Sequence, residues 1–201
     1  MKYIIIGMHG SGKHEVLNIL KNNDIRCGKL FTNMDNISTS SIYNGSNYEQ
    51  YTTKDINDIF ENNAYVFIQE FPFTGDMIIT NQYYEGLSLY EFENNDVFVI
   101  SPDQLFAFNQ TIINDDITFI WMDNTKKERL NRYHEERRSY NFYDRENIEL
   151  RDVNAFVKLL YGFDKSNVLY FTSEEPARVA AIIYSAIQHP DLLPVYIDTF
   201  N

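Results

Sequence analysis

Along the 201-residue chain, short apolar runs alternate with stretches of helical spacing. Ile4-Ile5-Ile6 is a β-branched run of the kind that fills a central buried strand. Gly7, Gly10 and Gly12 follow, and from Glu15 to Asn22 the apolar Val16, Leu17, Ile19 and Leu20 recur at helical spacing before Asn22-Asn23-Asp24. Ile25 to Thr32 predicts a second strand, and the Asn-, Ser- and Gly-rich stretch from Asn33 to Asn47 a surface loop. Thr53 reads as the N-cap of a helix from Lys54 to Glu61, with Ile56, Ile59 and Phe60 inward. A strand over Ala64 to Phe71, a turn over Pro72 to Asp76, a short strand over Met77 to Thr80 and a helix over Tyr83 to Phe92 come next.

In the second half the alternation is plainer. Asp96 to Ile100 predicts a buried parallel strand, followed by Ser101-Pro102 and a helix through Phe108. Ile117 to Met122 predicts another strand and Lys126 to Glu136 a helix; Asn141 to Asp144 interrupts the basic region before a long helix from Asn147 to Tyr161. Val168 to Phe171 closes the sheet, and Pro176, a good first-turn residue, opens a helix through Gln188. The short aromatic tail after Pro190 is expected to pack on the body.

Gly7 to Lys13 fits G-x-x-x-x-G-K in the strand–loop–helix context that a P-loop requires. Backbone N–H groups of such a loop point at phosphate oxygens, and the helix N-terminus adds a favourable dipole. The expected fold is therefore α/β: a three-layer, parallel-sheet P-loop fold with a small inserted lobe, to which a family resemblance adds a helical lid. The division expected is a single domain with a core over 1–29, 81–125 and 152–201, an insert over 30–80 and a lid over 126–151. Ligands in such sheets sit at the carboxyl ends of the strands, where this loop lies.

Charge sharpens the picture. The net charge of −12 argues against a nucleic-acid binder, which needs a basic surface. Eight of the seventeen Lys and Arg residues fall between residues 126 and 151, whereas from Leu30 to Thr125 the only basic residue is Lys54. A basic cluster on an acidic protein marks an anion site or else a solvated helix face. The single cysteine, Cys27, excludes a disulfide framework and suits a reducing compartment. No apolar run approaches a membrane span, and the chain opens directly into a strand, so a cytoplasmic protein without membrane or nucleic-acid partners is expected. The Asn-, Ile- and Tyr-rich composition would suit a virus-encoded enzyme, and then the host cytoplasm.

The chain resembles guanylate kinases over nearly its whole length. Gly7-Met-His-Gly-Ser-Gly-Lys13 matches the family's G-P-S-G-x-G-K, and Asn47-Tyr48, Asp55-Ile56, Ile59 and Asn62 to Val66 follow the spacing of its insert. Asp96-Val97 through Pro102-Asp103-Gln104 is similar to D-V-L-L-D-I-D-P-Q-G, Arg129-Leu130 to the R-L-x-x-R lid segment, and Ile148 to Arg151 to I-x-x-R-L. The resemblance implies an ATP-binding loop of Gly7, His9, Gly10, Ser11, Gly12, Lys13 and His14. It further implies catalysis by Lys13, Arg132 (or its neighbours Arg137 and Arg138) and Arg151, which would close over the transferred phosphoryl group, as such transfers need positioning and charge neutralisation above all. Acceptor-binding positions implied are Thr32, Tyr48, Gln69, Glu70, Thr80 and Ser101, with Asp103 in reach and Tyr48 equally readable as a core residue. The cofactors implied are ATP and Mg2+, and the partners nucleotide substrates, with a homodimer as one expected assembly.

Departures cluster on the acceptor side. The family's T-T-R-x-x-R falls on Asn33 to Ser40, where there is no arginine, and a phosphate held without Arg or Lys loses its strongest hydrogen bonds. The guanine-reading Glu falls at Phe67, leaving Gln69 or Glu70 to substitute. On the donor side His14 and Glu15 replace the hydroxyl residues, and imidazole is a poor match for Mg2+, so its shell would be mostly water and no metal ligand is assigned. The activity expected is transfer of the ATP γ-phosphoryl group to a nucleoside or deoxynucleoside monophosphate with altered acceptor specificity. The alternative is a degenerate kinase-like domain that binds nucleotide or protein. A P-loop ATPase or switch is disfavoured, because the run ending Trp121-Met122-Asp123 gives no convincing Walker B aspartate.

Overall fold

The computed structural model describes residues 1–33, 47–70, 84–108, 116–135, 168–172 and 175–190. The expectations for Pro72 to Asp76, Met77 to Thr80, Asn141 to Asp144, Asn147 to Tyr161 and the tail after Pro190 lie outside these residues.

Among the described residues, four parallel strands form the core sheet: β1 (Lys2–Gly7), β6 (Val97–Ile100), β7 (Ile117–Asp123) and β8 (Val168–Thr172), in the order β6-β1-β7-β8. The central β1 is buried on both faces, as its unbroken isoleucine run demands. Tyr3 and Ile5 face helices α1 (Lys13–Asn22) and α6 (Pro176–Gln188), whose Val16, Leu17, Leu20, Val179, Ala180 and Ile183 complete that half of the core. Ile4 and Ile6 point the other way, into a cluster with Phe98, Phe119 and Trp121. Each fully buried isoleucine contributes about 1.5–3 kcal/mol.

That second cluster is shared with a smaller sheet. Its strands β2 (Leu30–Thr32), β3 (Tyr48–Gln50), β4 (Tyr65–Glu70) and β5 (Tyr84–Ser88) run in the order β3-β2-β5-β4, with β5 antiparallel to both neighbours. Leu30, Val66, Phe67 and Leu87 carry this sheet's apolar face into the common interior. Helix α2 (Thr53–Glu61) flanks it, started by a capping box in which the Thr52 hydroxyl accepts from the Asp55 N–H and the Asp55 carboxylate accepts from the Thr52 N–H. Helices α3 (Leu89–Asn94) and α4 (Pro102–Phe106) complete the links to the core, and α5 (Lys126–Glu135) follows β7. None of the helices among the described residues is long and apolar enough to cross a membrane.

Four local expectations are corrected, the first being the N-cap of α2, which is Thr52 and not Thr53, because it is the Thr52 hydroxyl that reaches the Asp55 N–H. The stretch expected as one helix from Tyr83 to Phe92 is strand β5 and then α3, because Gly86 fits between Phe31 and the Phe67 carbonyl where a side chain would collide. Of Ile25 to Thr32 only the last three residues join a sheet, while Cys27 makes one isolated parallel bridge to Val97. Phe60 is not inward; it is 58% exposed and stacks on Tyr65, since so short a helix on the rim buries little beyond Ile56.

Candidate functional site

The carboxyl ends of the core strands converge on the loop. Ile6 pairs with Ile100, Gly7 pairs with Met122, and the chain leaves β1 as Gly7–Lys13 and β6 as Ser101–Asp103, side by side. The loop's shape comes from two left-handed residues, Gly10 at φ 74° and Gly12 at φ 88°. Each also lacks room for a side chain: a Cβ on Gly10 would lie 2.7 Å from the Arg129 carbonyl oxygen, and one on Gly12 2.3 Å from Arg132 Nη1 and 2.8 Å from Pro176 Cγ. The Ser11 N–H turns back to the Met8 carbonyl at 3.1 Å. Gly12 then starts α1 with no side chain to cap it, so the helix opens toward the loop with donors that a glycine cannot satisfy.

Two cations sit on this loop. Lys13, 7% exposed, donates its ammonium to the Met8 carbonyl at 3.1 Å. Arg132 donates Nη1 to the Ser11 carbonyl at 2.7 Å, joining residues 121 apart in sequence. Arg132 is brought there by α5, whose start is fixed by a capping box between Thr125 and Glu128: the Thr125 N–H donates to Glu128 Oε2 at 2.8 Å, and the Glu128 N–H to Thr125 Oγ1 at 3.3 Å. Arg129, buried one turn earlier, donates Nε to the Asn124 carbonyl and seats the helix on Gly10. Lys13 and Arg132, expected to act together, are therefore brought together; Arg137 and Arg151 lie outside the described residues. His9 is buried at the loop, His14 is half-buried at the first turn of α1, and Glu15 is exposed.

For Mg2+ the residues do not fit well. The position after Lys13 offers an imidazole in place of a hydroxyl oxygen, and no group of three or more His, Cys, Asp or Glu side chains among the described residues is arranged to hold a metal. For nucleotide phosphates they fit: a glycine cradle that a Cβ would fill, an uncapped helix start and two cations.

The acceptor-side residues assemble differently from expectation. Across the smaller sheet Thr32 pairs with Glu85 and Glu85 with Gln69, so these three side chains form one row on one face. The next row on that face, Phe67 and Leu87, is packed in the shared apolar interior. Glu85 is only 1% exposed and accepts from Gln69 Nε2 at 2.6 Å; the same Nε2 donates to Asp103 Oδ2 at 3.2 Å. Asp103 belongs to α4, just past the end of β6, so the amide ties the smaller sheet to the core beside Ser101. Ser101 itself is buried, its N–H donating to Gln104 Oε1 at 2.8 Å. Glu70 points to the opposite face from Gln69 at the exposed end of β4, away from this group. Tyr48 is half-buried against the shared apolar cluster, and Thr80 lies outside the described residues.

Glu85 is the residue the sequence did not single out. Its signal is an acid placed two residues from the apolar Leu87 and next to Gly86, which reads as a polar position on a buried face once the stretch is a strand. At the far side of the core sheet, Asp123 at the end of β7 accepts from the Tyr170 hydroxyl. Burial of the phenol, with the carboxylate beside it, pushes Tyr170 up to about 12.

Among solved structures, the chain is similar to a guanylate kinase from Anaplasma phagocytophilum, with a TM-score of 0.55 and 14% identity over 94% of this chain and 84% of that one. An uncharacterised protein from Eubacterium ventriosum aligns over 94% of this chain and 99% of its own at a TM-score of 0.41 and 13% identity. No protein-family model and no curated protein matches the chain. The first likeness is one of fold: a mixed α/β chain with a four-stranded parallel sheet, distantly like a P-loop kinase.

Proposed function

We propose that the chain is an ATP-dependent phosphotransferase of the nucleotide-kinase type, with Gly7–Lys13 as the donor-phosphate site and the smaller sheet as the acceptor lobe. The observation that carries this reading is the seating of α5 on the loop, with Arg132 Nη1 2.7 Å from the Ser11 carbonyl and Lys13 buried beside it. A glycine loop with no further role would not hold two cations on its rim. Lys13 and Arg132 neutralise charge on a triphosphate, the loop's left-handed glycines let the backbone approach it, and α5 covers it from water. Both cations now lean on loop carbonyls, and phosphate oxygens are better partners for them than neutral carbonyls. ATP and Mg2+ are the cofactors this reading implies, the metal held by phosphate and water because His14 supplies no oxygen. The acceptor implied by the resemblance is a nucleoside or deoxynucleoside monophosphate.

A binding module without turnover is favoured by two features, the absence of arginine between Leu30 and Lys54 and the imidazole at His14. Titration calorimetry with ATP, with and without Mg2+, separates the readings. Wild-type protein is expected to bind ATP, and Lys13→Ala to weaken binding roughly 10- to 100-fold, the loss of charged hydrogen bonds. No binding, or binding indifferent to Lys13→Ala, would overturn the donor site. ATP binding without phosphoryl transfer to any nucleoside, deoxynucleoside or monophosphate in a coupled assay would favour the module.

A further inference from the structure

The seating of α5 on the glycine loop carries an inference about how that loop is reached, and it rests on the phosphotransferase reading for the ligand. Both left-handed glycines are covered by neighbouring helices. Beside Gly10 the Arg129 backbone fills the space, its carbonyl oxygen 2.7 Å and its Cα 3.1 Å from where a Cβ would stand. Beside Gly12 the space is filled from two sides, by the Arg132 guanidinium of α5 and by Pro176 Cγ of α6 at 2.8 Å. Arg132 fastens this arrangement, donating Nη1 to the Ser11 carbonyl at 2.7 Å. Every one of these contacts is made by the chain with itself.

The helix is held at two points of different character. Its first turn is tied to the end of β7 by the Thr125–Glu128 capping box and by Arg129 Nε on the Asn124 carbonyl at 3.2 Å. One turn on, Arg132 is half-exposed, so solvent weakens its bond to the Ser11 carbonyl. Breaking that bond frees the far part of α5 to pivot about its anchored start. A hydrogen bond from a charged donor at such a site favours the seated helix by roughly tenfold.

We propose that Arg132 and the Ser11 carbonyl form a latch that keeps α5 on the loop and that a nucleoside triphosphate must open to enter. While the bond holds, the helix lies over both turning points of the cradle. With the triphosphate in, the guanidinium exchanges the neutral carbonyl for phosphate oxygens, which are stronger acceptors. Arg132 therefore slows entry and strengthens retention. Entry is confined to the lifted state, roughly one molecule in ten, and association is slowed by the same factor.

The test is stopped-flow association and dissociation of mant-ATP with the full chain, beside amide hydrogen exchange in the same protein without nucleotide. Removing a cation from a phosphate site ordinarily slows association, because electrostatic steering is lost. A latch reverses that sign: Arg132→Ala is expected to bind mant-ATP about tenfold faster than wild type and to release it at least about tenfold faster. Its α5 amides should also exchange about tenfold faster. Thr125→Ala loosens the first turn of α5 and leaves the guanidinium in place. It should raise the association rate about 2- to 10-fold, and it carries the test if Arg132→Ala does not fold. The latch is overturned, with the donor reading intact, if Arg132→Ala, or Thr125→Ala in its place, associates no faster than wild type or leaves α5 exchange unchanged. Absence of mant-ATP binding to the wild type sinks the donor reading and the latch together.

Discussion

Gly12→Ala probes the contact between the glycine loop and Arg132 of α5. The residue sits at φ 88°, a conformation that costs a residue with a side chain about 1–2 kcal/mol. Its new methyl would lie 2.3 Å from Arg132 Nη1, so the guanidinium must swing away and release the Ser11 carbonyl. Hydrogen bonds from a charged donor contribute about 1.5–3 kcal/mol, toward the lower end here because Arg132 is half-exposed. With Pro176 Cγ at 2.8 Å also forced to shift, the total is about 2–5 kcal/mol, or roughly 4–20 °C of melting temperature for a chain of this size. Arg132→Ala removes the same bond by another route. In the double variant the bond can be lost only once, so the two penalties together fall short of their sum by about 1–3 kcal/mol. Urea unfolding of the wild type, both single variants and the double variant measures this. Strict additivity, within about 0.5 kcal/mol, would show that Arg132 does not rest on the loop and would refute the reasoning.

Two further outcomes follow from local chemistry. Burial pushes the Cys27 thiol up to about 11, leaving at pH 8 roughly 100-fold less thiolate than an ordinary cysteine, so Ellman's reagent should react slowly with native protein and at the ordinary rate once it is unfolded. Thr52→Ala should cost about 0.5–2 kcal/mol of stability at neutral pH, read from denaturant midpoints. Because the Thr52 hydroxyl and N–H hold the Asp55 carboxyl below its usual value, their contribution is present above the unfolded value and lost as pH falls through the folded one. The gap between wild type and Thr52→Ala should therefore narrow below pH ~4, and a gap that widens in acid would contradict it.

The elements with unbroken local signals were legible in the sequence. Ile4 to Ile6 reads as a central strand because burial on both faces leaves no polar position, and Pro176 to Gln188 reads as a helix because proline and spacing agree. The Gly7–Lys13 loop is legible because its glycines and lysine lie close together in sequence. The row of Thr32, Gln69 and Glu85 is not, because these residues are joined only by strand pairing. Reading Tyr83 to Phe92 as a helix hid Glu85, since a helix would have scattered those side chains around its circumference. Phe60 misled for a related reason: spacing tells which residues share a helix face, and packing decides whether that face meets anything.

The apolar cluster that Leu30, Val66, Phe67 and Leu87 share with Ile4, Ile6, Phe119 and Trp121 sets a limit on modularity. A lobe grafted onto another P-loop scaffold would carry an uncovered oily face, and the scaffold it left would have one to match. The two sheets should therefore melt, exchange amide hydrogens and diverge as one unit. Substitutions tolerated in the smaller sheet should fall along the Thr32–Glu85–Gln69 row, where one polar side chain can be exchanged for another while the interior behind it stays closed.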